Sequence, residues 1–350
     1  MPGSQVPPRM PGEWEPHAST WIAWPHHEGD WPGKLAAIPW VYAEIVRVIA
    51  PHERVEILCQ DKPLRDAAVK TLDAHGVPRS AYGLHVVPTD RVWLRDSAPT
   101  AVARQGGRRE LVRWRFNAWA KYDNYSHDAA IGPVIARLTG LPIVDAQRPD
   151  GKGPVVLEGG AIDPNGEGLL LATEECFLSD VQVRNPGLDR DGYEQVFRTY
   201  LGVRQTLWLG AGCVGDDTHG HVDDVARFVA PDILVLAYEP DPQDENHERS
   251  EDNLRRLQLA GADDGAFRVV TLPFPRPLMM DGQRLPASYA NFYIANGVVL
   301  VPTFNDPSDR VALNSLADLL PDRQVVGIHA VDLVWGLGTL HCLTQQLPRG

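Results

Sequence analysis

The chain has 350 residues, 43% hydrophobic and 23% charged, and a formal net charge of −13. That is the balance of a soluble globular protein able to bury a substantial core. It speaks against a nucleic-acid partner, which would want a basic patch, and is compatible with a cationic ligand. The Pro- and Gly-rich opening, residues 1–12, reads as an extended or flexible arm without the apolar stretch of a secretory signal, and no run is long enough for a membrane span. Cys59, Cys176, Cys213 and Cys342 are scattered without a CxxC pair, which suits a reducing cytosol.

Ser19–Trp24 is expected as a short strand, with Trp14, Trp21, Trp24 and Trp31 covering a core. Lys34–Ile49 has helical apolar spacing, the helix proper starting near Pro39. Val55–Leu58 is a buried strand, Leu64–Ala74 a helix stopped by Gly76 and Pro78, and Leu84–Val87 a strand again. A recurring unit follows. Polar or glycine-bearing starts at Trp93–Asp96, Leu157–Gly160, His221–Asp223 and Ser288–Tyr289 each lead into a hairpin, with turns at Gln105–Gly107, Asn165–Gly166, Pro231–Asp232 and Asn296–Gly297. Helical patterns separate the hairpins at Ala129–Leu138, Asp191–Leu201, Ser250–Ala260 and Ser308–Leu320. A repeat of about 60 residues signals a radial α/β architecture, one domain over 1–350, whose equivalent strand starts meet at the centre. Asp96, Glu158, His221 and Asp223 are therefore expected to converge.

Gly215–Asp224 packs four carboxylates and two imidazoles into ten residues, between apolar runs and without Lys or Arg. Such a loop is costly unless it binds a metal or a cation. Cys342 stands at the start of what would be a fifth hairpin, after the glycines of Gly336-Leu-Gly338, whereas Cys59, Cys176 and Cys213 lack such an approach and are taken as structural. A cysteine, a histidine and three carboxylates in one pocket fit nucleophilic attack on a guanidinium. Carboxylates grip that cation through paired hydrogen bonds; a thiolate attacks its carbon and an imidazolium protonates the departing ammonia. Asp96 and Asp223 are the expected clamps. Glu158 binds the guanidinium and keeps His221 protonated, His221 is the acid/base and Cys342 the nucleophile. No metal is required. His341, read on the opposite face of a strand from Cys342, is expected to be packed structure.

Met10-Pro-Gly-Glu-Trp-Glu-Pro-His17, Trp93-Leu-Arg-Asp96, Leu157-Glu-Gly-Gly160, Gly215–Asp223, Ala287–Ile294 and His341-Cys342 together resemble the agmatine deiminase and Porphyromonas-type peptidylarginine deiminase family. That family lies within the guanidino-group-modifying superfamily of five-bladed α/β propellers, the pentein fold. The resemblance implies the five roles above, a substrate channel lined by Trp93, and Asp217 as partner for a substrate amine. It further implies a small cationic guanidine as partner, agmatine first and arginine, peptidyl arginine or another alkylguanidine after it, no cofactor, and a cytoplasmic homodimer. Two segments depart from the pattern: Gly336-Leu-Gly-Thr-Leu-His-Cys342 replaces Gly-Gly-Gly-Asn-Ile-His-Cys, and His219 stands where Asn is common. Both concern the substrate's tail rather than the reaction.

Three rival readings stay open. A metal-dependent hydrolase would use His219, His221 and Asp223 as ligands. An amidinotransferase would keep the fold and pass the amidino group to an amine. A binder without activity would keep the scaffold alone.

Overall fold

The computed structural model describes residues 7–262 and 265–349. The first strand, His17–Ala23, is buried along most of its length and runs parallel to Arg54–Cys59, which in turn runs parallel to Tyr82–Val86. The crossovers are the helices Ile38–Ile49 and Lys62–Ala74. In the first, Ile38, Tyr42, Ile45, Val46 and Ile49 form one buried stripe, and Pro39 sits in the opening turn, where its missing N–H costs nothing. The second begins at Asp61, whose carboxylate accepts the Leu64 N–H at 2.7 Å.

Four further sheets share one plan: an antiparallel pair, then a helix, then a strand parallel to the second member of the pair. They are Thr100–Arg104, Arg108–Arg113 and Ile143–Asp145; Asp163–Pro164, Leu169–Thr173 and Gln205–Leu209; Ala226–Ala230, Ile233–Tyr238 and Arg268–Pro273; and Tyr293–Ala295, Val298–Thr303 and Gln324–His329. The helices between them are Ile131–Thr139, Arg190–Leu201, Asn246–Leu257 and Ser308–Leu319, within a few residues of the expected spans.

The expected fifth hairpin takes another form. Gln345–Pro348 pairs antiparallel with His17–Ala23, so the partner of the last strand is the first one. The stretch before it also differs from expectation, because Leu340–Leu343 is a single helical turn and not the start of a strand. Short helical turns likewise precede three of the other four leading strands, at Leu94–Ser97, Gly159–Ala161 and Val222–Asp224. Asn291 lies just ahead of the strand Tyr293–Ala295, outside it. Of the N-terminal arm, residues 1–6 lie outside the described residues, while Arg9 bridges to Ala103 and Met10 donates its N–H to the Leu201 carbonyl at 2.9 Å, anchoring that part. No helix among the described residues is long and apolar enough to cross a membrane.

Candidate active site

The turns that precede the leading strands bring the expected site residues together. Asp96, Glu158, His221, Asp223 and Cys342 come together as expected, each 6% exposed or less. His221 lies between two carboxylates, its Nδ1 3.8 Å from Asp96 Oδ1 and its Nε2 3.6 Å from Glu158 Oε2. Cys342 Sγ is 3.6 Å from Asp223 Oδ2. Gly160 stands among them. A Cβ there would fall 2.6 Å from His221 Nδ1 and 3.0 Å from both Asp96 Oδ1 and Asp223 Oδ2, so only hydrogen fits. Both His221 nitrogens and Asp223 Oδ1 are buried without a hydrogen-bond partner among the described residues. Leaving such groups unpaired costs roughly 1–3 kcal/mol each, which a ligand rich in N–H donors would relieve at the carboxylates.

The electrostatics follow from burial and crowding. Burial pushes Asp96 up to about 6. Burial alone would lower His221, but the charges of Asp96, Glu158 and Asp223 outweigh it and lift the imidazole to about 9. Glu158 is held below the usual carboxylate range against its burial, chiefly by the Arg184 guanidinium, whose Nε lies 3.2 Å from Oε1. Burial, with Asp223, Asp224 and Asp96 close by, drives the Cys342 thiol well above its ordinary value. At neutral pH the resting site thus holds a thiol and an imidazolium.

Several side chains here had no reading from sequence, and one, His341, was expected on a strand. His341 is the largest correction. Because it sits on a helical turn, strand alternation does not apply, and its ring bridges Asp223 Oδ2 at 2.7 Å and Glu13 Oε2 at 2.9 Å. Glu13 also pairs with Arg95 and Arg227, and Arg227 with Asp163, so a buried ionic network underlies the carboxylates. Trp119 donates from Nε1 to Asp96 Oδ2 at 2.9 Å. It occupies a turn in which Ala118, Trp119 and Ala120 all have positive φ, costing non-glycine residues about 1–2 kcal/mol apiece. Asn291 donates to Cys342 Sγ at 3.1 Å. Glu13, Arg95, Asn291 and His341 fell inside segments that sequence reading had singled out; Arg184 and Trp119 carried no local signal.

A cavity of about 180 Å³ opens onto the thiol and is lined by Trp93, Asp96, Trp119, Tyr122, Asp217 and Cys342 among others. Trp93 rests on Trp31, ring centroids 5.7 Å apart, and Gly338 leaves it room, since a Cβ there would lie 2.8 Å from its ring. Asp217 is on the cavity wall, but both oxygens are engaged, one by Lys121 Nζ and the other by Tyr122 Oη at 2.6 Å. His219 is not among the lining residues; it has positive φ and its Nε2 meets Ser179 Oγ at 2.9 Å. The ligand set His219, His221 and Asp223 therefore does not assemble. Among the described residues, the trios with metal-ligand proximity are Glu158, Cys176 and His221, and Asp223, Asp224 and Cys342.

The family described as Porphyromonas-type peptidyl-arginine deiminase matches residues 9–348. The chain belongs to this family. Its relatives include a protein of Selenomonas ruminantium named "Putative agmatine deiminase", 36% identical over 97% of this chain and 95% of that protein. Among solved structures of this deiminase family, the agmatine deiminase of Enterococcus faecalis superposes with a TM-score of 0.90 at 29% identity, covering 100% of this chain and 99% of that one. A substrate-bound C. jejuni agmatine deiminase with a Cys-to-Ser substitution superposes at 0.87 and 26% identity, over 99% and 98% of the two chains. An amidinotransferase of Microseira wollei, 14% identical over 98% of each chain, shares the mixed α/β fold at a TM-score of 0.51.

Proposed function

We propose that this deiminase-family chain hydrolyses a small alkylguanidine, agmatine plus water to N-carbamoylputrescine plus ammonia, through a covalent intermediate on Cys342. The carrying observation is the ring of buried Asp96, Glu158 and Asp223 around His221 and the thiol, with space between them that admits only hydrogen at Gly160. Asp96 and Asp223 accept the guanidinium N–H groups in bidentate fashion, and Glu158 accepts a further one. The substrate's positive charge offsets the carboxylates that oppose thiolate formation, and the thiol proton leaves to solvent through the cavity that opens onto Sγ. Sγ then attacks the guanidinium carbon, and the C–N bond breaks with its electron pair on nitrogen as His221 protonates the departing ammonia. The neutral imidazole next takes a proton from water, whose oxygen attacks the thiouronium carbon. The C–S bond breaks with its pair on Sγ, the ureido hydroxyl gives up its proton to restore the thiol, and the neutral ureido product leaves. At the far end of the cavity, a substrate ammonium would take the position of Lys121 Nζ on Asp217.

The five sheets of three or four strands, four of them led by a helical turn, support a five-bladed pseudo-symmetric propeller in a single domain. The product, a carbamoylated diamine, suits a polyamine (putrescine) route in the cytoplasm, in keeping with four unpaired cysteines.

The test is detection of ammonia and ureido product across agmatine, arginine, blocked arginine peptides and shorter guanidines, with no amine acceptor added. Agmatine should be turned over fastest, and Cys342→Ala and Cys342→Ser should be folded and inactive. Near-normal activity in either variant would overturn the mechanism, and turnover that requires an added amine would favour the amidinotransferase reading.

A further inference from the structure

We infer that Asn291 is a catalytic residue of this site, the fixed neutral donor that holds negative charge on the Cys342 sulfur; the inference rests on Cys342 being the nucleophile. Asn291 is fully buried, ahead of the strand Tyr293–Ala295, and no motif of charge or spacing marks it as chemical. Its amide orientation follows from its partners. Oδ1 accepts from Thr339 Oγ1 at 2.8 Å, the His341 N–H at 3.0 Å and the Cys342 N–H at 3.4 Å, three donors that an NH2 group could not serve. Nδ2 therefore faces the other way, toward Cys342 Sγ at 3.1 Å and Asp224 Oδ1 at 3.0 Å, one N–H for each. Among the described side chains, Asn291 is the one that donates to this sulfur.

The surroundings of Sγ explain why such a donor is needed. The turn Val222–Asp224 presents Asp223 and Asp224, the turn Leu94–Ser97 presents Asp96, and His341 on the nucleophile's own turn is engaged with Asp223. Three carboxylates thus oppose an anion on sulfur. The guanidinium compensates them during attack. In the second half of the reaction the C–S bond breaks with its electron pair on Sγ, and that compensation ends as the ureido product passes on its hydroxyl proton and departs neutral. Asn291 is present in both halves and carries no charge to be lost. Its grip on the backbone N–H groups of residues 341 and 342 also keeps the donor in register with the sulfur, since one side chain binds the turn and the nucleophile at once. The same hold consumes these two N–H groups, so they are not free to serve as the anion's donors; the Thr339 backbone N–H also reaches the sulfur, beside Asn291 as its side-chain donor.

The test combines steady-state kinetics with the pH dependence of Cys342 alkylation by iodoacetamide in Asn291→Ala and Asn291→Asp, folding being checked by circular dichroism. Asn291→Asp keeps the Oδ1 contacts and replaces the donor by an acceptor. Both variants should lose on the order of 10- to 100-fold in kcat, the scale of one hydrogen bond to a charged group. KM should change little, and the alkylation profile should move to higher pH. A residue that only braced the fold would leave that profile in place in a folded variant, and an unshifted profile overturns the inference. Should neither variant fold, the wild-type enzyme decides: the Asn291 side-chain amide resonance must move when Cys342 is ionised or alkylated, and a stationary resonance overturns the inference. Full activity in Cys342→Ala would instead remove the reading on which it rests.

Discussion

Asp96 carries two opposed requirements. It must be ionised to hold a guanidinium, yet burial lifts its carboxyl to about 6. Below that value the clamp is neutral, so kcat/KM should fall roughly tenfold per pH unit as pH drops through about 6. Asp96→Asn, neutral at all pH, should lack this limb and most of the activity; a wild-type profile flat down to pH 5 would contradict the assignment. His221, lifted to about 9, stays cationic across the neutral range and loses its proton only above that value. Lys121 poses a different question, because it occupies the carboxylate proposed for the substrate's ammonium. Lys121→Ala should lower KM for agmatine by roughly 2- to 5-fold, the worth of a partly exposed ion pair. KM for an alkylguanidine without an amine should not move; equal effects on the two substrates would show that Asp217 does not read the tail.

At the scale of elements, the useful unit is the single helical turn ahead of a leading strand. Such a turn lets neighbours such as His341 and Cys342 both face inward, where a strand would send them to opposite faces. The sequence pattern of a polar start before a hairpin located these turns correctly, but their helical form was not visible, because three or four residues are too few to show a period. Gly160 marks how closely the turns approach. Its φ is ordinary, so Gly160→Ala tests space and not backbone strain. The added methyl would press on His221, Asp96 and Asp223 at once. The variant should fold, lose about 1–3 kcal/mol from overpacking, and lose on the order of 100-fold in kcat/KM through misplacement of the reacting groups. Retention of wild-type kcat/KM would mean that the three groups do not act around a common point.

Across the whole molecule, the last strand is stitched to the first. Gln345–Pro348 pairs with His17–Ala23, and Gln345 and Gln346 accept hydrogen bonds from Arg95 Nη1 at 2.9 and 2.7 Å. Arg95 is buried and also pairs with Glu13, which pairs with His341, the partner of Asp223. Removal of residues 345–350 should therefore lower Tm by roughly 10 °C and impair catalysis although it deletes no reacting group; a melting curve that superposes on the wild type would refute this coupling. The sequence alone determined the four hairpins with their turns and helices and the convergence of five polar residues, because turn chemistry, apolar period and a cluster of carboxylates with His and Cys are local signals. Tertiary structure alone decided the rest. Arg184, Trp119 and His341 are ordinary residues until burial and a carboxylate within hydrogen-bond reach give them a role. Asn291 becomes chemical only because Cys342, more than fifty positions later in sequence, is folded against its amide.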